Sequence, residues 1–389
     1  MSNEIKNILQ IPLKMELAAT AHCCASANRK IMSTRRQFIR DAALASAALG
    51  LPVRAFADES LNPSPTTASF FLVGDTHYCA DEADFSKMNE TSVLYNARLV
   101  DWLNKLPGTA ISAAAGGDTV PIPHGVVHDG DIIDNGDKGG PKVKMVPTEL
   151  AAFLADYGLN GGDGKLRWPV REVHGNHDSP HGGGEVILEI KARNKRRRGI
   201  TNASENGLHY SWDWAGVHFV ALGITVGDAP EVTRKRRYAP LGSLPFLRQD
   251  LAEHVGTSGR PIVLVHHVDV HRYSEVVPDD KVIHNEWDYG DAQAFYQTIK
   301  PYRVAATLCG HTHVRKIARW NGTKDERAAD GVPFLNADNA GHFSGPAQAF
   351  LHIEIDKNEL RVREFATKDG WQTGDWTPQL WKFALNTPA

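Results

Sequence analysis

Apolar positions along the chain fall into short runs broken by polar, Gly- and Pro-bearing stretches. The period of those runs changes from one end to the other. Ser69–Val73, Gly125–His128, Pro169–His174, Pro261–Val265 and Arg303–Cys309 are short β-rich runs and predict strands, the first of them buried. Between them, Leu94, Leu99, Trp102 and Leu103 are spaced for one helix face. Leu150, Phe153 and Leu154 predict a second helix, Leu244–Val255 a third and Ala292–Ile299 a fourth. Leu208–Trp214 and Val217–Gly223 read as a hairpin around Ala215-Gly216. Towards the end the helices stop, and Phe350–Ile355 and Leu360–Phe365 flank the turn Asp356-Lys357-Asn358-Glu359. A chain that opens as β-α-β and closes in antiparallel hairpins predicts an α/β protein with two sheets packed face to face and helices outside.

The first 57 residues follow a different logic. Ser33-Thr34-Arg35-Arg36-Gln37-Phe38 leads into the apolar stretch Ala42–Val53 and then Ala55-Phe56-Ala57. A basic segment, an apolar segment and an A-x-A site in that order make an export signal. The paired arginines before Phe38 resemble the twin-arginine type, which the twin-arginine export machinery reads through residues 33–57. The expected organisation is a non-native extension over 1–31, translation from Met32, a signal over 32–57, a linker over 58–67 and one domain over 68–389. The mature protein is then expected to be periplasmic or secreted.

Charge sharpens this division. The chain carries −3 overall, but residues 1–57 carry +5 and the remainder −8. A negative body argues against extended nucleic-acid binding, which runs on positive charge. The run Lys191–Arg198 is expected to be a solvated helix face or loop, and Arg234-Lys235-Arg236-Arg237 a solvated loop. No apolar run approaches the roughly 18 residues of a membrane span. The four cysteines, Cys23, Cys24, Cys79 and Cys309, are too few for a disulfide scaffold, and Cys79 and Cys309 are expected to be free buried thiols.

Five short motifs stand where strands end: Gly74-Asp75-Thr76-His77, Gly130-Asp131-Ile132-Ile133-Asp134, Gly175-Asn176-His177-Asp178, His266-His267 and Gly310-His311-Thr312-His313. Strand ends leading into loops are where α/β proteins place ligands. Asp, His and Asn supply oxygen and nitrogen donors suited to Mn, Fe, Zn or similar ions. If one carboxylate bridges two ions, they can clamp an in-line displacement and lower the pKa of a shared water. Singly, each motif is weak. Five in this order, each after a strand, are not a chance set.

The order resembles the calcineurin-like metallophosphoesterase superfamily over roughly residues 68–345. The resemblance implies a four-layer α-β-β-α sandwich of two mixed sheets with flanking helices. It implies that Asp75, His77 and His313 hold one of two divalent or mixed-valence ions, that Asp131 bridges, and that Asn176, His266 and His311 hold the other. His266 is preferred over His267 as the first residue after its strand. His177 would assist the leaving group and Asp134 would orient it. The implied reaction is hydrolysis of phosphate mono- or diesters by a metal-bridging hydroxide. A nuclease of the same superfamily and a catalytically silent metal-binding protein are the alternatives. The second motif continues Asp134-Asn135-Gly136, without the arginine that protein phosphatases use on phosphate and without the tyrosine of purple acid phosphatases. His267, Arg272, Asn339 and His342, near motif ends, are candidate substrate contacts.

Overall fold

The structure is a computed structural model and describes residues 62–274 and 285–385. The expected extension and twin-arginine signal lie outside the described residues.

In chain order the first half comprises β1 (Ala68–Val73), α1 (Glu90–Lys105), β2 (Gly125–His128), α2 (Val146–Tyr157), β3 (Val170–Glu172), α3 (Gly184–Arg196), β4 (Ile200–Ala203), β5 (Tyr210–Trp214) and β6 (Val217–Ala221). There follow α4 (Ser243–Asp250), β7 (Ile262–Val265), β8 (Tyr273–Ser274), β9 (Trp287–Asp288), α5 (Tyr289–Ile299), β10 (Val304–Cys309), β11 (Lys316–Trp320) and β12 (Val332–Asn336). The long closing strands are β13 (Gln348–Ile355), β14 (Glu359–Thr367) and β15 (Asp375–Ala384). One sheet has the order β15-β14-β13-β1-β2-β3 and the other β11-β12-β10-β7-β6-β5-β4; β8 and β9 pair apart.

Strand β1 shows why this sequence makes layers. Every residue from Ala68 to Val73 is buried, yet alternate side chains go to different cores. Phe70 and Leu72 face the second sheet, meeting Phe219, Val263 and Val265 of that sheet in one core. Phe71 and Val73 turn the other way, towards Leu99 and Leu103 of α1 and Phe153 of α2. The second sheet repeats the device: Ile262 and Leu264 face Leu247 of α4 and Phe295 of α5. A strand covered on both faces reads as a continuous apolar run, as seen in the sequence. The result is the expected four layers, helices outside two packed mixed sheets.

Helix α1 is started by Asn89, whose side chain accepts from the Ser92 backbone N–H at 3.1 Å. Leu99 and Leu103 form its buried stripe, but Leu94 is 44% exposed, because five residues is not a helical repeat. The expected third helix ends its α-helical part at Asp250 and continues as a π turn over Leu251–Val255. Strands β4, β11, β12 and β15 have no counterpart in the hydrophobic pattern; β15 is half-exposed along its length.

The basic run Lys191–Arg198 departs from expectation. Arg193 and Arg197 are buried at the end of α3 and both bond Glu172, the last residue of β3; the Arg193 Nε–Glu172 Oε1 distance is 2.7 Å. Burial alone would raise the Glu172 carboxyl, but the two guanidinium groups outweigh it and hold it at about 2. The group's pKa is depressed by folding, so its stabilisation is complete above the ordinary value near 4.5 and is lost as pH falls towards 2. Glu172→Ala leaves two buried cations unpaired and is expected to cost about 3–5 kcal/mol. In urea melts the loss should shrink as pH is lowered from 7 to 3; a loss that stays constant over that range contradicts this reading.

Candidate metal centre

Parallel pairing brings the five motifs to one edge. Val73 pairs with His128 and His128 with Glu172, so β1, β2 and β3 end level. In the other sheet Leu308 pairs with Val265, and β7 and β10 end level. The motifs are then laced together by backbone bonds. Asp75 N–H donates to Gly130 O at 3.0 Å and His77 N–H to Asp131 O at 3.1 Å. Asp178, buried, accepts from the N–H groups of Gly175, Ile133 and Ile132 at 2.7, 3.0 and 3.2 Å, tying the third motif to the second. Gly310 N–H donates to His267 O at 3.0 Å. The sheets are joined where His311 N–H donates to Asp75 Oδ2 at 3.0 Å.

Asp75, His77, Asp131, His311 and His313 all have φ between 41° and 71°. They are five of the ten non-glycine residues with positive φ among the described residues. Left-handed backbone costs a residue with a Cβ roughly 1–2 kcal/mol, and it persists where surrounding bonds over-determine it. Here it turns side chains from consecutive loops towards one point. Close approach does the rest. A Cβ on Gly175 would lie 2.2 Å from Asp131 Oδ1, and one on Gly310 2.5 Å from Asp75 Oδ2.

The side chains form two adjoining donor groups. In one, Asp75, His77 and Asp131 place ligand atoms within 4.8 Å of one another. His313 Nε2 joins it, 3.3 Å from Asp75 Oδ1 and 3.2 Å from His77 Nε2. The other group is Asp131, His267 and His311. His267 Nε2 lies 3.1 Å from Asp131 Oδ2 and 3.2 Å from Asn176 Oδ1. Asp131 belongs to both.

Electrostatics mark this as a place for cations. Burial opposes ionisation of Asp131, but His267, with His77 and His177, drives its carboxyl well below the usual range. Asp75 is lowered the same way: burial opposes it and His313 and His267 prevail. Burial would lower the His267 imidazole, but Asp131, Asp75 and Asp129 raise it to about 10. The two buried carboxylates thus have imidazoles as their cationic partners, with no lysine or arginine paired to either among the described residues. Oxygen and imidazole donors around two buried carboxylates fit divalent ions, whose binding would release any proton held on those rings.

Several expectations need correction. His266 is not in the cluster: its ring packs edge-on against Trp287 and Phe295, and its Nδ1 bonds Val268 O at 3.0 Å. His267 stands there instead, in neither the spare nor the outer position expected for it. The cause is strand parity. Val263 and Val265 face the sheet interface while Ile262 and Leu264 face the helices; His267 continues the first set and His266 the second. The Asp134 carboxylate bonds His77 Nδ1 at 3.1 Å, whereas His177 Nδ1 donates to the Asp134 carbonyl at 3.0 Å and stands 3.9 Å from the carboxylate. Asp134 therefore orients His77 through its side chain and His177 through its backbone. Arg272 is paired with Glu286, and Asn339 turns its amide to Asp338 Oδ1 at 3.1 Å. His342 does reach the cluster, its ring centroid 4.4 Å from that of His77. Cys79 and Cys309 are free and buried, as expected.

Three residues were not singled out in the sequence. Glu286 Oε1 lies 3.1 Å from His311 Nε2, so the ring's other nitrogen is the one left to ligate. Asp129 lies buried beside Gly74 and Gly310 with neither oxygen bonded; burial and then the Asp75 charge raise its carboxyl well above the usual range. Tyr238 stands edge-on to His311, ring centroids 6.4 Å apart. Glu286 lies in a part of the sequence with no motif signal, and Asp129 looks like one more strand-end acid; only the topology sets them apart.

No curated protein matches the chain in sequence. Among solved structures it is similar to a dimetal phosphatase from Danio rerio, at 14% identity and TM-score 0.49, covering 84% of this chain and 100% of that one. It is also similar to PhoD, at 10% identity and TM-score 0.44, covering 83% and 72%. A third is the calcineurin-like phosphoesterase YfkN from Bacillus subtilis, at 12% identity and TM-score 0.35, covering 83% and 91%. The profile of the calcineurin-like phosphoesterases matches residues 68–315, a span that begins at β1 and closes just after the fifth motif, and the chain belongs to that family.

Proposed function

We propose that this protein is an exported phosphoesterase that hydrolyses phosphate mono- or diesters with two metal ions. The observation that carries the reading is that the Asp131 carboxylate is common to both donor groups. One ion is assigned to Asp75, His77, Asp131 and His313, the other to Asp131, Asn176, His267 and His311. When bound, such a pair supplies a hydroxide nucleophile at neutral pH and stabilises the phosphoryl oxygens during displacement. Manganese, iron and zinc all suit this donor set.

The chain's own residues do the rest. His177 donates through Nδ1 to the Asp134 carbonyl, so Nε2 is the nitrogen left to face a substrate. The side chain is 27% exposed and its ring lies 4.7 Å from that of His77, which leaves it reachable at the rim. In this role the ring would act with both nitrogens protonated: as the P–O bond to the leaving group breaks, the Nε2 proton passes to the leaving oxygen and the ring stays neutral, still donating through Nδ1. Asn135 occupies the place of the protein-phosphatase arginine, but it is buried and its amide bonds Glu149 Oε1 at 2.7 Å. It cannot reach a phosphate, which favours small esters over phosphoproteins.

His267→Ala is expected to lower bound metal from two equivalents towards one, by elemental analysis. His266→Ala is expected to lower stability and leave metal content unchanged. The reverse pattern would restore His266 as the ligand. For His177→Ala, metal content should stay intact while turnover of an alkyl phosphate falls about 10²–10⁴-fold. The loss should be much smaller for a nitrophenyl ester, whose leaving group needs no proton. Equal losses on both substrates would remove His177 from the leaving-group role.

A further inference from the structure

His342 sits on the loop after β12, which is fastened to the first motif. Ala340 N–H donates to Gly74 O at 3.0 Å, and Gln348 Nε2 donates to His342 O at 2.8 Å. The ring is stacked on Phe343, with centroids 4.8 Å apart and planes 14° apart, and meets His313 at 5.0 Å as well as His77. One of its ring nitrogens lies within 4.8 Å of ring nitrogens of both. By proximity alone it would count as a further metal ligand.

Its hydrogen bonding excludes that. Ser344 N–H donates to His342 Nδ1 at 3.0 Å. A backbone N–H can only donate, so Nδ1 carries the ring's lone pair and the proton is on Nε2. A neutral imidazole has one lone-pair nitrogen, already engaged, and an N–H cannot ligate a metal. Among the described residues no protein group accepts from Nε2. The half-buried ring therefore holds one unspent donor beside the first donor group, fixed in tautomer by its own loop and in plane by Phe343.

We propose that His342 Nε2–H is a phosphate-binding donor that grips a non-bridging phosphoryl oxygen at the Asp75–His77–His313 side of the site. The proposal rests on the phosphoesterase reading and specifies how the anion is held there. Its role is distinct from that of His177: His342 binds the phosphoryl group and gives no proton to the leaving oxygen.

The test uses metal-loaded wild type, His342→Ala and His342→Gln, with inorganic phosphate as the probe in calorimetry and elemental analysis alongside. All three should hold equal metal. Phosphate affinity should fall about tenfold or more in His342→Ala, the scale of a hydrogen bond to a charged group. It should recover in large part in His342→Gln, whose amide can donate again. Metal loss in His342→Ala would make the residue a ligand and overturn the proposal, as would unchanged phosphate affinity or equal loss in both variants. Wild type that binds phosphate but hydrolyses no ester would refute the phosphoesterase reading while leaving the His342 comparison decisive. Wild type that binds no phosphate would end both.

Discussion

Two carboxylates, Asp75 and Asp131, are buried side by side at the edge of two packed sheets, and the rest of the site answers to that burial. Unpaired charge in a protein interior is costly, and neighbouring like charges make it more so. Imidazoles from His77, His267 and His313 surround the pair at 3.1–3.9 Å, and the carboxylates raise the affinity of His267 and His313 for a proton against the effect of burial. Protons are a poor substitute for divalent ions in such a place. The arrangement is best understood as a charge deficit maintained by the fold for cations to fill.

What maintains it is the layered architecture. Each sheet is covered on both faces, so strand ends cannot shift without disturbing two cores at once. Level parallel strands set the loops in a row, and the bonds from Asp178 and from the N–H groups of His177 and His311 lock loop to loop. That rigidity sustains left-handed backbone at five residues of the cluster, which a flexible loop would relax. Glu172 with Arg193 and Arg197 anchors the strand that carries the third motif, linking a buried ion network outside the site to the position of Asn176.

Much of this was readable from the chain. The short apolar runs marked β1, β2, β7 and β10, and the Asp, His and Asn residues after them marked the edge where they meet. Parity was not readable. Where both faces of a strand are apolar, as in Ile262–Val265, the sequence gives no sign of which face is which, so His266 and His267 could not be told apart. Pairing across long separations was equally hidden: Arg197 with Glu172, Glu286 with His311, and Asp134 with His77 rather than His177. Strand β15 left no pattern because it is half-exposed, with polar residues on both sides.

The central claim is that Asp131 joins two ions at the seam between the sheets. Anomalous diffraction from crystals of the metal-loaded protein tests it most directly. The account predicts two peaks about 3.5–4 Å apart, with Asp131 between them, Asp75 and His313 on one side and His267 and Asn176 on the other. A single ion, or a pair of ions that Asp131 does not bridge, would contradict it.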